Sequence, residues 1–517
     1  MLGNVLAAIC FALLPPAAAG VPSPPPTGPV PTGAVTSAAV DAFVAEYREK
    51  TGLPGAAVAI TKGTEVVHAA GYGETASGDP VTADTPMAVA SVSKSFTSLA
   101  VMQLAEKGEV DLDRPVRGYL PEFTMADPRA ARITVRQLLN QTSGMADSAF
   151  HEKSLPQPGT LEGAVARLRT AELAADPGTV FSYHNTNYQV AARLVEVVSG
   201  EPFAGYLRAH VFTPLGMRNS TTIDTDRDLP DSARGHLYIL GQAVALPEPT
   251  GFGNGSGGVL SSANDMARWL IAQNNGILSP ASVTEMRTPS EQDEKYALGW
   301  SIGETERGTP VVRHGGDLFT STAEQLLMPE SGYGVAVMAN TGMAFADSGA
   351  LMDALVAMVE GGAPEIPSSP YLVTDIVFAL MTLVTIGLAA RGVARSRRWA
   401  ARRTGWQRLR LLPWLAPLAL CVTVVPIFRV LARGSDIMWI QVVYLYPTFM
   451  IWLVTATVAG LALIIARLVH RGGHRDRPVT ASCTASAVAI LRSPRSAGSP
   501  AVTGLRVSMR PRRRQRE

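Results

Sequence analysis

The stretch Met87-Ala-Val-Ala-Ser91-Val-Ser-Lys94-Ser-Phe-Thr-Ser-Leu-Ala-Val-Met-Gln-Leu-Ala105 changes from an alternating pattern to a helical one. Its apolar residues recur at helical spacing from Phe96 onward, so Ser91 is predicted to lie near a helix start. Residues three apart share a helix face, which places the Lys94 ammonium beside the Ser91 hydroxyl. Such a lysine can take the serine proton if burial lowers its pKa. On its own, the pattern is equally typical of a capping or surface serine.

A second candidate motif is Tyr183-His-Asn185. A phenol and an amide two residues apart lie on one side of an extended loop. A tyrosinate, or a tyrosine that shares a proton with Lys94, can act as general base to Ser91 and later activate water. Asn185 can orient Lys94 and a substrate amide. A buried tyrosine beside a turn asparagine is the alternative interpretation of these three residues.

A third candidate motif, His314-Gly315-Gly316-Asp317, follows a predicted strand. The two glycines let a substrate lie close to the backbone, and the N–H of Asp317 can pair with that of Ser91 as an oxyanion hole. His314 can donate to a substrate carboxylate or to Tyr183. A glycine turn after an edge strand is the alternative.

Charge is distributed unevenly along the 517 residues. The chain has 45 Lys+Arg and 43 Asp+Glu, but the part from Tyr371 onward has 22 Lys+Arg and only 4 Asp+Glu. The N-terminal part is therefore acidic and the C-terminal part basic, which indicates two differently solvated regions. No cysteine lies between residues 11 and 420, so the acidic region has no disulfide, thiolate nucleophile or cysteine-based metal site. We predict no metal and no cofactor.

The order of composition along the chain predicts separate segments. Val5–Leu14 is a short apolar run before small residues, as in a secretory signal, and Arg391 to Arg410 separates long apolar runs. The predicted segments are a signal peptide 1–20, a Pro-rich linker 21–36, a compact domain 37–362, a linker 363–370, transmembrane helices 371–390, 411–428 and 438–466, and a basic, disordered tail 467–517.

The arginines also predict an orientation. Eight arginines and no acid lie in residues 391–410, which places that loop and the tail in the cytoplasm and the acidic domain outside. Because the arginines flank apolar runs, we predict contact with the membrane and not with nucleic acid.

The pattern of elements in residues 37–362 predicts an α/β fold. A strand pair near the start is followed by helical patterns, then by a cluster of strands and a last helix. This order indicates one antiparallel sheet joined from both ends and flanked by helices, with an all-helical subdomain inserted.

Taken in order, the three motifs resemble those of the serine β-lactamase/penicillin-binding-protein family. The resemblance covers roughly residues 38–360 and is greatest to the class C β-lactamase-related branch, with its D-Ala-D-Ala carboxypeptidases, D-aminopeptidases and family VIII esterases. It implies the β-lactamase/DD-peptidase-like sheet with a helical subdomain and the active site between them. It also implies that Ser91 is the acylated nucleophile, Lys94 its base partner, Tyr183 the general base and Asn185 the positioning amide.

Residues 314–316 replace the family's Lys-Thr-Gly triplet, with His314 for the lysine and Gly315 for the hydroxyl residue. Since histidine is only partly charged at neutral pH, this replacement predicts weak capture of a substrate carboxylate. Together with the predicted transmembrane helices and their orientation, the resemblance implies a membrane-anchored, extracytoplasmic serine hydrolase that acts through a Ser91 acyl-enzyme. Its substrate would be an amide or ester, such as a cell-wall D-amino-acid peptide of peptidoglycan or a small ester. The alternative is a non-hydrolytic sensor domain that binds peptidoglycan or β-lactams.

Overall fold

The computed structural model describes residues 35–367, 371–402, 405–431 and 436–472. The predicted signal peptide 1–20, most of the linker 21–36, the last residues of the linker 363–370 and most of the tail 467–517 lie outside these residues. Residues 37–362, called the N-terminal domain below, and the long apolar helices after Tyr371 are both described.

A six-stranded antiparallel sheet forms the centre of the N-terminal domain, in the spatial order β2-β1-β11-β10-β9-β8. The strands of the domain are β1 Gly55–Lys62, β2 Glu65–Gly73, β3 Met87–Ala88, β4 Thr221–Thr222, β5 Gly235–Ile239, β6 Gln242–Leu246, β7 Val259–Ser261, β8 Ser301–Glu304, β9 Pro310–Asp317, β10 Thr322–Met328 and β11 Tyr333–Ala339. Strand β1 pairs with β11 from Ala56↔Ala339 to Lys62↔Tyr333. The two ends of the domain therefore meet in one sheet, which confirms the predicted α/β fold.

Helices cover both faces of this sheet. They are α1 Ser37–Thr51, α2 Ser93–Glu106, α3 Val135–Leu139, α4 Leu161–Ala166, α5 Asn185–Ser199, α6 Phe203–Leu207, α7 Thr213–Leu215, α8 Ala263–Asn274, α9 Pro280–Arg287 and α10 Asp347–Val359. Helices α1 and α10 pack on one face, and α2 and α8 on the other.

Side-chain alternation along β1 separates two hydrophobic cores. Val58 faces the core formed with Val44 and Leu355, whereas Ala57 faces the larger core that holds Phe96 and Trp269. The Phe96 and Trp269 rings stack with centroids 3.8 Å apart, and both are fully buried. Burial of one such ring stabilises the fold by roughly 2–3 kcal/mol. This second core fixes helix α2, which follows Ser91, against the sheet.

Helix α3 is short. Thr134 caps its start in a capping box with Gln137, and the helix ends at Leu139. The Asn140 side chain accepts hydrogen bonds from the backbone N–H and the hydroxyl of Thr142, which replaces the next helical turn with a loop.

The C-terminal region is helical in its described residues, with long and short helices. They are α11 Tyr371–Ala394, α12 Ser396–Ala401, α13 Ala416–Leu431, α14 Trp439–Leu445 and α15 Pro447–Gly472, with a 3₁₀ segment Gly405–Leu415 before α13. Three stretches in the described residues are long and apolar enough to cross a membrane: Tyr371–Ala394, Leu409–Leu431 and Pro447–His470.

The third of these spans differs from the predicted 438–466. Trp439–Leu445 forms a separate short helix, and the long helix starts at Pro447. Proline has no backbone N–H and disfavours the helical conformation of the residue before it, so the helix is interrupted at Tyr446. The long helix runs to Gly472, so residues 467–472 of the predicted tail are helical.

Candidate active site

Ser91 lies in a tight turn that leads into helix α2. The 3₁₀ turn Ala90–Val92 precedes the helix, and Ala90 has φ +46°, a left-handed conformation that is unfavourable for a residue with a side chain. Backbone hydrogen bonding fixes the turn to β7, since the N–H of Val89 donates to the Val259 carbonyl at 3.0 Å. The Ser91 hydroxyl is therefore held at the helix start, as the sequence predicts.

Lys94 is fully buried and its ammonium makes three hydrogen bonds. Nζ donates to Ser91 Oγ at 2.9 Å, to Asn185 Oδ1 at 2.9 Å and to the carbonyl of Ser256 at 2.8 Å. Burial lowers the pKa of Lys94 to about 7, although the charge of Glu152 opposes this effect. A large fraction of Lys94 is thus neutral at physiological pH and able to accept a proton beside Ser91.

Tyr183 lies over the same lysine. The Nζ atom of Lys94 is 4.8 Å from the centroid of the Tyr183 ring. Tyr183 is 41% exposed at the surface, but the protein around its phenol desolvates it and raises its pKa, which a hydrogen bond with Ser91 only partly opposes. The side chain therefore lines an open cleft and is a neutral phenol at pH 7. A neutral phenol fits the second of the two predicted forms of Tyr183, a tyrosine that shares a proton with Lys94, better than it fits a tyrosinate.

Asn185 is positioned by its place in the chain. It is the first residue of α5, and the N–H of the preceding residue, His184, donates to Gln141 Oε1 at 3.1 Å. Gln141 has φ +63°, so its side chain reaches this loop from a constrained turn. Tyr183, His184 and Asn185 are consequently held as one rigid segment across the cleft from Ser91.

His314 does not have the environment of a carboxylate-binding group. Its Nδ1 is 2.6 Å from the Gly315 carbonyl, which only accepts, and its Nε2 is 3.2 Å from the hydroxyl of Tyr296. Nδ1 therefore carries the proton and Nε2 accepts from Tyr296. Burial, and secondly the charge of Lys94, lowers the pKa of His314 to about 3. The sequence predicts a partly charged donor to a substrate carboxylate or to Tyr183, whereas the structure has a neutral ring in which each nitrogen already makes a hydrogen bond within the protein.

The glycines after His314 bring β9 against the Ser91 turn. A Cβ atom at Gly316 would lie 2.2 Å from the Val89 carbonyl oxygen and 3.0 Å from the Ser91 nitrogen. Only glycine permits this approach. Strand β9 pairs with β8 through Arg313, so the segment from His314 to Asp317 extends beyond that pairing. Asp317, whose N–H is the predicted second oxyanion donor, is the residue directly after Gly316 and therefore lies next to this contact with the Ser91 backbone.

Two residues of the site were not singled out as site residues from the sequence. Ser256 accepts from Lys94 through its carbonyl, and Tyr296 donates to His314. The only sequence signal for Ser256 is the glycine-rich run 251–258 around it. Within the ranges that the structure describes, no group of three or more His, Cys, Asp or Glu residues could hold a metal ion.

Comparison with known proteins shows the family of this chain. The sequence model of the family described as "Beta-lactamase" matches residues 40–357. Penicillin-binding protein 4 of Amycolatopsis lactamdurans is 31% identical over 326 residues, which are 57% of this chain and 83% of that protein. Protein flp of Staphylococcus aureus (strain MW2) is 28% identical over 313 residues, or 58% of this chain, and the match spans 62% of protein flp.

Solved structures show the same fold. The octameric penicillin-binding protein homologue from Pyrococcus abyssi superposes with a TM-score of 0.55 at 28% identity, over 66% of this chain and 80% of that one. The family match covers more than half of the chain and contains all three motifs that the structure brings together. This chain is a member of the beta-lactamase family.

Proposed function

We propose that this protein is a serine hydrolase that forms an acyl-enzyme on Ser91 with an amide or ester substrate. The observation that supports it most is the 2.9 Å hydrogen bond between Lys94 Nζ and Ser91 Oγ, made by a buried lysine with a pKa of about 7. An amine that is partly neutral at this distance is a general base for the serine hydroxyl.

In the acylation step, neutral Lys94 takes the Ser91 proton while Oγ bonds to the substrate carbonyl carbon. The negative charge that develops on the carbonyl oxygen is stabilised by the N–H groups of Ser91 and Asp317. The bond to the leaving nitrogen or oxygen then breaks, and that atom takes the proton of the Tyr183 phenol. The Lys94 ammonium returns a proton to Tyr183, so neither side chain is consumed.

Deacylation uses the same groups with water in place of the leaving group. Tyr183 takes a proton from the water as it passes its own phenol proton to neutral Lys94, and the water oxygen bonds to the acyl carbon. The bond from that carbon to Ser91 Oγ then breaks, and Oγ takes a proton from the Lys94 ammonium, which releases the acid and restores both side chains. Asn185 holds the lysine through Oδ1 in both steps, at 2.9 Å. This role for Tyr183 differs from a permanent tyrosinate base, because the raised pKa keeps the phenol protonated between turnovers.

The neutral His314 points to a substrate without a carboxylate at that position. We expect kcat/KM for a neutral short-chain p-nitrophenyl ester to exceed that for benzylpenicillin by at least about 10²-fold, since an unpaired, partly buried carboxylate costs several kcal/mol. Both rates are measured on the same preparation of full-length protein. Faster hydrolysis of the penicillin would contradict this substrate assignment without affecting Ser91.

Adduct mapping tests the proposal itself. The full chain in detergent is incubated with a fluorophosphonate or a fluorescent penicillin, and the labelled peptide is identified by mass spectrometry. We expect one adduct, on Ser91. An adduct on another residue would contradict the proposed nucleophile. A stable adduct without turnover of any ester or D-alanyl peptide would favour the binding or sensing alternative.

We also propose that the N-terminal domain is extracytoplasmic and that the apolar helices span the cytoplasmic membrane. The support is the Arg-rich segment 391–410 after the first helix. In this arrangement the domain meets its substrates outside the cell, either small esters or peptides of peptidoglycan that place no free carboxylate beside His314.

A further inference from the structure

The C-terminal helices and the described segments between them, within residues 371–472 and called the apolar region below, contact the N-terminal domain near two segments of the active site. Near Asp317, Tyr444 of α14 donates its hydroxyl to the Pro247 carbonyl at 2.7 Å, and its ring lies 6.0 Å from that of Phe319. Near Tyr183, the contact is made by Asp436, which precedes α14.

Asp436 is buried at this contact, with 1% of its surface exposed. Its carboxylate accepts the N–H of Ser154 at 2.8 Å and also the Ser154 hydroxyl. Arg429 pairs with the same carboxylate at 3.4 Å and donates to Ser154 Oγ at 3.1 Å. A buried, paired carboxylate with several donors has one defined position.

The backbone of Asp436 continues this network toward the catalytic loop. Its N–H donates to Asp147 Oδ2 at 3.1 Å, and Asp147 Oδ1 lies 2.8 Å from His184 Nδ1. Burial raises the pKa of Asp147, but the hydrogen bond with His184 and the charge of Lys153 lower it to about 2, so Asp147 is ionised. His184 is fully buried and stands between Tyr183 and Asn185 in the chain.

We propose that Asp436 is a positioning residue for the reaction at Ser91, an inference that rests on the proposed function. It acts through Asp147 and His184 on the segment that holds Tyr183 and Asn185. The apolar region is then part of the active-site architecture, in addition to being an anchor.

A second buried acid of the apolar region provides a matched control. Asp375 of α11 also accepts a backbone N–H of the N-terminal domain, that of Leu240 at 2.7 Å, and the hydroxyl of Thr448 at 2.6 Å. Leu240 lies in the β5–β6 turn, so Asp375 contacts a different segment of the domain from the one that holds Tyr183. If the substitutions acted only by weakening the contact between the apolar region and the N-terminal domain, variants of Asp375 and of Asp436 would be affected alike.

The experiment compares ester hydrolysis by full-length variants in detergent or nanodiscs. We expect Asp436→Ala to lower kcat about tenfold with KM within about twofold, because small misplacements of catalytic groups reduce turnover steeply. We expect Asp375→Ala to change kcat less than about twofold at a similar melting temperature. Asp436→Asn, which keeps an acceptor for Ser154, should recover most of the activity.

Double variants show whether Asp436 acts through Asp147. The loss in Asp436→Ala/Asp147→Ala should be no larger than in Asp147→Ala alone, whereas effects at independent sites multiply. Equal effects of Asp436→Ala and Asp375→Ala, or multiplying effects of Asp436→Ala and Asp147→Ala, would overturn the inference. Lack of acylation in the unmodified protein would instead contradict the proposed function.

Discussion

Replacement of Lys94 by methionine is expected to lower kcat by about 10³-fold, since a positioned general base typically contributes about 10²–10⁴-fold. Among the described residues, Lys94 is the only one whose side-chain nitrogen makes a hydrogen bond to Ser91 Oγ. Methionine fills a similar volume in the buried site, and the change therefore tests the chemistry of the nitrogen with little change in packing.

The same lysine predicts the pH dependence of the unmodified protein. Only neutral Lys94 can take the serine proton, so kcat/KM should rise about tenfold per pH unit below a pKa of about 7 and level off above it. The residual activity of Lys94→Met should not show this rise of kcat/KM with pH. His314 contributes no second ionisation between pH 5 and 9, because its pKa is about 3.

A measurement of stability separates loss of chemistry from loss of folding. The Lys94 pKa is lower in the folded than in the unfolded chain, so the free energy of unfolding rises with pH between about 7 and the ordinary value of 10.5. Below pH 7 the buried ammonium destabilises the fold. We therefore expect Lys94→Met to melt no lower than the unmodified protein at pH 6. Full activity in a folded Lys94→Met variant would contradict the assigned role.

The sequence predicts the sheet and the pairing of Ser91 with Lys94, because both follow from patterns that are visible in the sequence. The spacing of Ser91 and Lys94 is a local property of a helix start, and the strand pattern at both ends of the domain specifies one antiparallel sheet. Tyr183 and Asn185 join them because the segment is fixed by hydrogen bonds of Gln141, a contact that no local pattern reveals.

The electrostatic state of the site could not be read from the sequence. A histidine in place of lysine suggests a weaker cation, but burial and the charge of Lys94, both supplied by the fold, make His314 a neutral group. Its two ring nitrogens are hydrogen-bonded to the Gly315 carbonyl and the Tyr296 hydroxyl. The same holds for the apolar helices. Composition predicts their number, whereas the contact of Asp436 with Asp147 depends on how the two regions pack.

Substitution of Gly316 by alanine is expected to lower kcat by about 10²-fold or more, the typical effect of losing one oxyanion donor. The new methyl group would lie 2.2 Å from the Val89 carbonyl and 3.0 Å from the Ser91 nitrogen. Both are backbone atoms, so either β9 or the Ser91 turn must move. This separates the N–H of Asp317 from that of Ser91 and destabilises the fold by about 1–3 kcal/mol.

The adjacent glycine is the matched control for this strain. A Cβ atom at Gly315 would lie 2.5 Å from Glu324 Oε1, the far end of a flexible side chain that can move away. We therefore expect Gly315→Ala to reduce kcat several-fold at most, which is much less than Gly316→Ala. The kcat of folded protein for hydrolysis of a neutral p-nitrophenyl ester distinguishes the two variants. Equal rates would mean that the close approach of β9 to Ser91 does not control the oxyanion site.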